Sequence, residues 1–174
     1  MIAVKLTGAI MIITASFITG KSIACFYAKR CSELNEICKF ADDTVNAIRC
    51  DNYTVKEAFE NIDLNSNTII GSIVKTALCE YGKQSGETLN DLLVKQLDKS
   101  YGSAVITPAT RQNLKNLFER LGKNDLEYQI CIFSEMGEKC KEEYKAMLEQ
   151  NSKSRGVYLK AALCIGIIIA VFLL

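Results

Sequence analysis

Histidine is missing from this 174-residue chain. With it go the commonest general base, the commonest metal ligand and the ordinary pH switch near neutrality. Tryptophan is missing too, and proline occurs once, at Pro108. No two of the eight cysteines form a Cys-x-x-Cys pair, so they do not read as a zinc site. They read as small apolar core residues, kept reduced if the domain is cytoplasmic. An excess of either charge is also lacking: Lys and Arg number 21 against 20 Asp and Glu. No basic patch is interleaved with aromatics, which argues against a nucleic-acid partner. Gly82-Lys83-Gln84-Ser85-Gly86 lacks the Walker spacing and follows a helical pattern rather than a strand, and no Gly-x-Ser-x-Gly is present. The Asp42-Asp43 carboxylate pair lies on an amphipathic stretch where solvation accounts for it. With no nucleophile beside a base, the expectation is a protein without enzymatic activity, cofactor or metal.

What the chain does have is two apolar ends. Ile2 to Gly20 carries one charge, Lys5, and Ala161 to Leu174 carries none. A bilayer core asks for about 20 apolar residues in a helix. The expected domains are therefore an N-terminal transmembrane helix over 1–28, a cytoplasmic helical bundle over 29–156, and a C-terminal transmembrane helix over 157–174. Lys21, Lys29, Arg30 and Lys39 follow the first span, and Lys145, Lys153, Arg155 and Lys160 precede the second. The positive-inside rule then places the middle domain in the cytoplasm and both termini across a cell membrane. A basic residue before a short apolar run also fits a cleaved signal. Ser22-Ile23-Ala24-Cys25 faintly resembles a lipoprotein box, which would anchor a surface protein through Cys25. Small residues recur every fourth position, as Ser16, Gly20, Ala24 and Ala28, and again as Ala162, Gly166 and Ala170. Such stripes let helices approach closely in lipid, within one chain or in a homo-oligomer.

Between the ends the periodicity is helical, which predicts an all-α fold: a bundle of about six helices, the long first and last able to pair as an antiparallel stalk. Cys31, Leu34, Cys38, Ala41, Val45 and Ile48 alternate steps of three and four until Asp51-Asn52 interrupts them. Thr54 and Glu57 have capping-box spacing for a second helix. Ile69 to Tyr81 forms a third, stopped by Gly82. Ser85-Gly86 opens a fourth with Leu89, Leu92, Leu93 and Leu97, and Thr107-Pro108 starts a fifth that Gly122 ends with a left-handed residue. Asn124, with Glu127, is expected to cap a long sixth helix. Its seam is Leu126, Ile130, Phe133, Gly137, Cys140, Tyr144 and Met147, with Gly137 allowing close backbone approach.

Leu121-Gly122-Lys123-Asn124-Asp125, followed by Gln129, resembles an element of the stage III sporulation protein AB family. The resemblance runs along nearly the whole length: an apolar span ending in Ala28-Lys29-Arg30, a helical domain, then a charged helix passing through Asn151-Ser152-Lys153 into a terminal span. Lys21, Leu126 and the eight cysteines depart from the family's pattern. What the resemblance implies is a sporulating bacterium of the Gram-positive type. The protein would sit in the mother-cell membrane around the forespore, within the channel complex joining the two compartments. The family's bundle is similar to the helical domains of the type II secretion inner-membrane platform protein. By that fold analogy the partners are the cytosolic stage III AA-type ATPase of the same complex and other channel proteins. Gly122, Asp125 and Gln129 are then the expected contact residues, and a structural scaffold assembling through its spans is the other reading.

Overall fold

The computed structural model describes residues 2–83, 86–100, 105–122 and 125–173. Among them every regular element is a helix: α1 (Ile2–Asp51), α2 (Val55–Asn61), α3 (Ile69–Gly82), α4 (Leu89–Lys99), α5 (Pro108–Arg120) and α6 (Leu126–Leu173). The helices stop where local chemistry stops them. Asn52 takes φ 54° directly after α1. The Thr54 hydroxyl accepts from Glu57 N–H, and the Glu57 carboxylate accepts in return from Thr54 N–H at 2.8 Å. Thr107 caps α5 ahead of Pro108, whose missing N–H is no loss at the first helical position.

Three expected boundaries are corrected. Thr88, not Ser85-Gly86, opens α4, its hydroxyl accepting from Asp91 N–H. A glycine has no side chain to satisfy that donor, and Gly86 instead takes φ 72° in the turn before it. Ser85 lies outside the described residues. Gly82 is the last residue of α3 rather than a left-handed stop, and Lys83 N–H closes the helix onto Glu80 and Tyr81. At α6 the Asn124 expected as a cap lies outside the described residues, and Asp125 does the capping.

The chain divides into two units, Met1–Cys31 with Lys145–Leu174, and Ser32–Tyr144. In the second, α4 packs against both α3 and α5. Phe40 of α1, Phe59 of α2 and Phe133 of α6 form a closed aromatic cluster, with ring centroids 5.2, 6.0 and 6.0 Å apart. All three are essentially without solvent contact. Leu92, Leu93 and Leu97 of α4 and Leu114, Leu117 and Phe118 of α5 complete the core. α1 and α6 pair antiparallel here: a Cβ added at Gly137 would stand 3.5 Å from the Cβ of Ala41, and Lys141 reaches Asp42 at 2.8 Å.

That pairing is wider than an alternating seam. All six expected α1 positions are buried, and so are Glu33, Ile37, Phe40 and Thr44 between them. A face this broad belongs to a globular bundle, where several elements surround each helix, rather than to a two-stranded coil. On α6 the expected Leu126 is 43% exposed, while Gln129, Ile132 and Met136 are buried instead. The cysteines divide as well. Only Cys31, Cys38 and Cys140 are buried; Cys25, Cys50, Cys79, Cys131 and Cys164 are exposed, because they fall off the core-facing stripes.

In the first unit, α1 is long and apolar enough to cross a membrane by length and composition. Its large side chains point outward: Ile10, Met11, Phe17, Ile18, Ile23 and Phe26 are exposed. Thr14 and Thr19 turn their hydroxyls back onto carbonyls one turn earlier, which satisfies both donors within the helix. Gly20 and Ala24 are buried, with Ser16 and Ala28 half-buried. The expected second span, 157–174, lies in α6, with most of its side chains outside the described residues. The same holds for the side chains of Ala162, Gly166 and Ala170.

Candidate functional site

The corner joining α5 to α6 is built from its carbonyls outward. α5 ends at Arg120, and Leu121 leaves the helix in extended conformation with its N–H on the Phe118 carbonyl. The Leu121 side chain is buried, and its carbonyl accepts from Asn90 Nδ2 of α4 at 2.5 Å. Gly122 then takes φ 66°, the expected left-handed residue. Open space surrounds the position of an added Cβ there, so conformation and not crowding selects glycine.

Asp125 starts α6. Its Oδ1 accepts from Tyr128 N–H at 3.2 Å and its carbonyl from Gln129 N–H at 3.2 Å. A carboxylate at this end also meets the positive end of the helix dipole. The carboxylate itself stays exposed, and Leu126 beside it is an exposed apolar side chain. Gln129, one turn on, is 1% exposed, and neither its Oε1 nor its Nε2 has a hydrogen-bond partner. Leaving such an amide unpaired costs about 1–3 kcal/mol. The structure thus separates the three expected contact residues. Gly122 and Asp125 lie on the surface, while Gln129 lies beneath them.

Two features here escaped the sequence reading. Asn90 gives no sign of its role, since an Asn near a helix start suggests a cap rather than a clamp on a loop 31 residues later. Leu126 fits the seam by its spacing, yet a helix's first turn need not face the core, and here it is exposed. A second concavity of about 550 Å³ lies between the start of α3 and the end of α4. Ser66, Thr68, Ser72 and Thr76 bring hydroxyls to its wall, and Ile69 and Ile73 an apolar share.

Among the described residues, neither place assembles a nucleophile with a base. The α5–α6 corner combines a fixed backbone, one exposed carboxylate and one exposed leucine, which is what a protein-docking surface uses: an apolar anchor with a charged rim. The family model described as stage III sporulation protein AB matches residues 5–174. No curated protein and no solved structure matches the chain.

Proposed function

Because the chain belongs to the stage III sporulation protein AB family, we propose that it is a membrane-anchored platform of the channel complex between mother cell and forespore. Membership implies a role in sporulation. The finer reading has the chain docking the cytosolic stage III AA-type ATPase, with hydrolysis on the partner and no chemistry of its own. Two spans, α1 and the apolar end of α6, hold it in the mother-cell membrane, with residues 29–156 in the cytoplasm and both termini opposite.

The observation that carries this reading is the α5–α6 corner, where Leu126 is exposed beside the Asp125 carboxylate. Asp125 follows the Gly122 turn on the element that resembles the family's, and Leu126, where this chain departs from the family's pattern, adjoins it. Gln129 supports the corner from below. The test is binding of the full chain, in detergent or membranes, to the purified ATPase. Leu126→Arg removes the apolar anchor without touching the cap. Asp125→Asn keeps an acceptor for Tyr128 N–H while removing the charge. Lost binding in Leu126→Arg at unchanged melting temperature supports the platform reading. Full binding in both variants sinks the corner as the contact.

The scaffold reading draws on a different observation, the burial of Gly20 and Ala24 within the first unit. On that reading the spans do the assembling. Gly20→Leu would then abolish complex assembly and leave ATPase binding as it was.

A further inference from the structure

Two of the three buried cysteines face each other. Gly137 allows α1 and α6 to approach until an added Cβ there would lie 3.5 Å from that of Ala41. Disulfides need Cβ atoms roughly 3.5–4.5 Å apart. Cys38 lies three residues before Ala41 and Cys140 three residues after Gly137, so the antiparallel register brings them opposite one another at the next turn. Lys141 and Asp42, paired at 2.8 Å, fix the same register from the flank. Both thiols are buried, Cys38 5% and Cys140 2% exposed. All eight cysteines are free thiols; of the remaining six, Cys31 is buried and five are exposed.

We infer that Cys38 and Cys140 form a redox modification site, a dithiol that a small hydroperoxide converts to a disulfide joining α1 to α6. The chemistry closes without a further reactant. The Cys38 thiolate attacks one oxygen of hydrogen peroxide, the O–O bond breaks, and the other oxygen leaves as water after taking up the Cys38 proton. Cys38 is then a sulfenic acid. The Cys140 sulfur attacks the Cys38 sulfur, the S–S bond forms, the S–O bond breaks, and the second oxygen leaves as water with the Cys140 proton. Two thiols have lost two electrons and two protons, and one peroxide has become two waters.

The surroundings divide the roles. The hydrogen bond from Cys140 holds the Cys38 thiol below the usual range, against burial and the nearby Asp42 carboxylate, with Lys141 assisting. The hydrogen bond to Cys38, then burial, hold Cys140 above it, with Glu143 adding in the same direction. Cys38, the more exposed of the two and the one in the field of Lys141, is the attacking sulfur, and Cys140 the resolving one. Near-closure of the pair selects a small oxidant over a bulky disulfide. The product closes the chain from 38 to 140 into a loop and staples the two longest helices. This inference does not depend on the platform reading.

The test treats the full chain in detergent with hydrogen peroxide, blocks remaining thiols, and maps peptides by mass. The expected result is one cross-linked species containing Cys38 and Cys140, two hydrogens lighter than its parts and released by reductant. Its formation should raise the melting temperature by several degrees, a rise absent in Cys140→Ala. In that variant Cys38 should stop at a sulfenic acid that dimedone captures. Cys38 and Cys140 staying free while Cys50, Cys79 and Cys131 oxidise would overturn the inference, as would sulfinic acid at Cys38 with no cross-link. The peptide map of the unaltered chain decides even if the variant fails to fold.

Discussion

The Glu33 carboxylate accepts the backbone N–H of Ile69 at 2.8 Å, tying α1 to the first turn of α3 across 36 residues of chain. Ile69 is the first residue of α3, so its N–H has no partner within the helix. Thr68 satisfies the next donors, its hydroxyl accepting from Gly71 N–H and its carbonyl from Ser72 N–H. Glu33 is only 6% exposed, so its charge stays out of water against the positive end of α3. Glu33→Ala should therefore lower stability by about 1–3 kcal/mol through the orphaned donor. Glu33→Gln keeps an acceptor oxygen and should lose less. Melting temperatures of the two variants in detergent decide it, and equal losses would mean that packing rather than the hydrogen bond holds the site.

Gly71, two residues further, is held to glycine by space. An added Cβ would collide with the Asn65 carbonyl oxygen and lie 2.8 Å from the Asn65 carbonyl carbon. That carbonyl also accepts from the Thr68 hydroxyl, so the 65–68 turn cannot simply swing away. Alanine normally gains about 1 kcal/mol over glycine inside a helix. Here crowding of the overpacking kind, about 1–3 kcal/mol, should override that gain. Gly71→Ala is expected to melt lower than the unaltered chain; a higher melting temperature would show the turn to be free to move.

Some caps and most of the α1 stripe are legible in the sequence because they act within one turn, although Thr88 and Asp125 take the capping roles expected of Ser85-Gly86 and Asn124. Thr54, Thr107, Asn52 and the positive φ of Gly122 all stand where the pattern puts them. Pairings across long stretches of chain were not readable. Nothing about Glu33, set among seam residues, marks it as the cap of a helix 36 residues on. Nothing in the α3 run says that Gly71 abuts a turn. The α5–α6 corner was half legible: spacing located Gly122 and Asp125, but burial of Gln129 and exposure of Leu126 depend on how α6 lies against its neighbours.

The α2 capping box makes a pH prediction. Hydrogen bonds from Thr54 N–H and then from the Thr54 hydroxyl hold the Glu57 carboxyl below its usual range. A carboxyl with a lowered folded value adds stability above its unfolded value and loses that share as pH falls through the folded one. Asp43 acts oppositely: burial first, then the Asp42 charge, raises it, so its ionisation as pH rises weakens the fold. Glu57→Gln should make the acid-side fall in melting temperature shallower below about pH 5. Asp43→Asn should raise the melting temperature at neutral pH. An unchanged acid limb in Glu57→Gln would show that the box frays independently of the rest.

Gly137 separates two reasons for a glycine in a helix contact. It lies in the middle of α6, where glycine is about 1 kcal/mol less favourable than alanine. An added methyl would meet Asp42 Oδ1 at 3.4 Å and the Ala41 Cβ at 3.5 Å, ordinary contact rather than collision. Gly137→Ala should therefore be neutral or stabilising by up to about 1 kcal/mol. A larger side chain finds no such room, because Ala41 and Cys140 are both buried around it. Gly137→Leu should force the helices apart and cost about 1–3 kcal/mol. It should also separate Cys38 from Cys140, so the peroxide-driven cross-link fails in Gly137→Leu and persists in Gly137→Ala. Melting curves and peptide maps of the two variants read both effects together. Destabilisation by alanine would mean that α1 and α6 lie closer at this level than 3.5 Å permits.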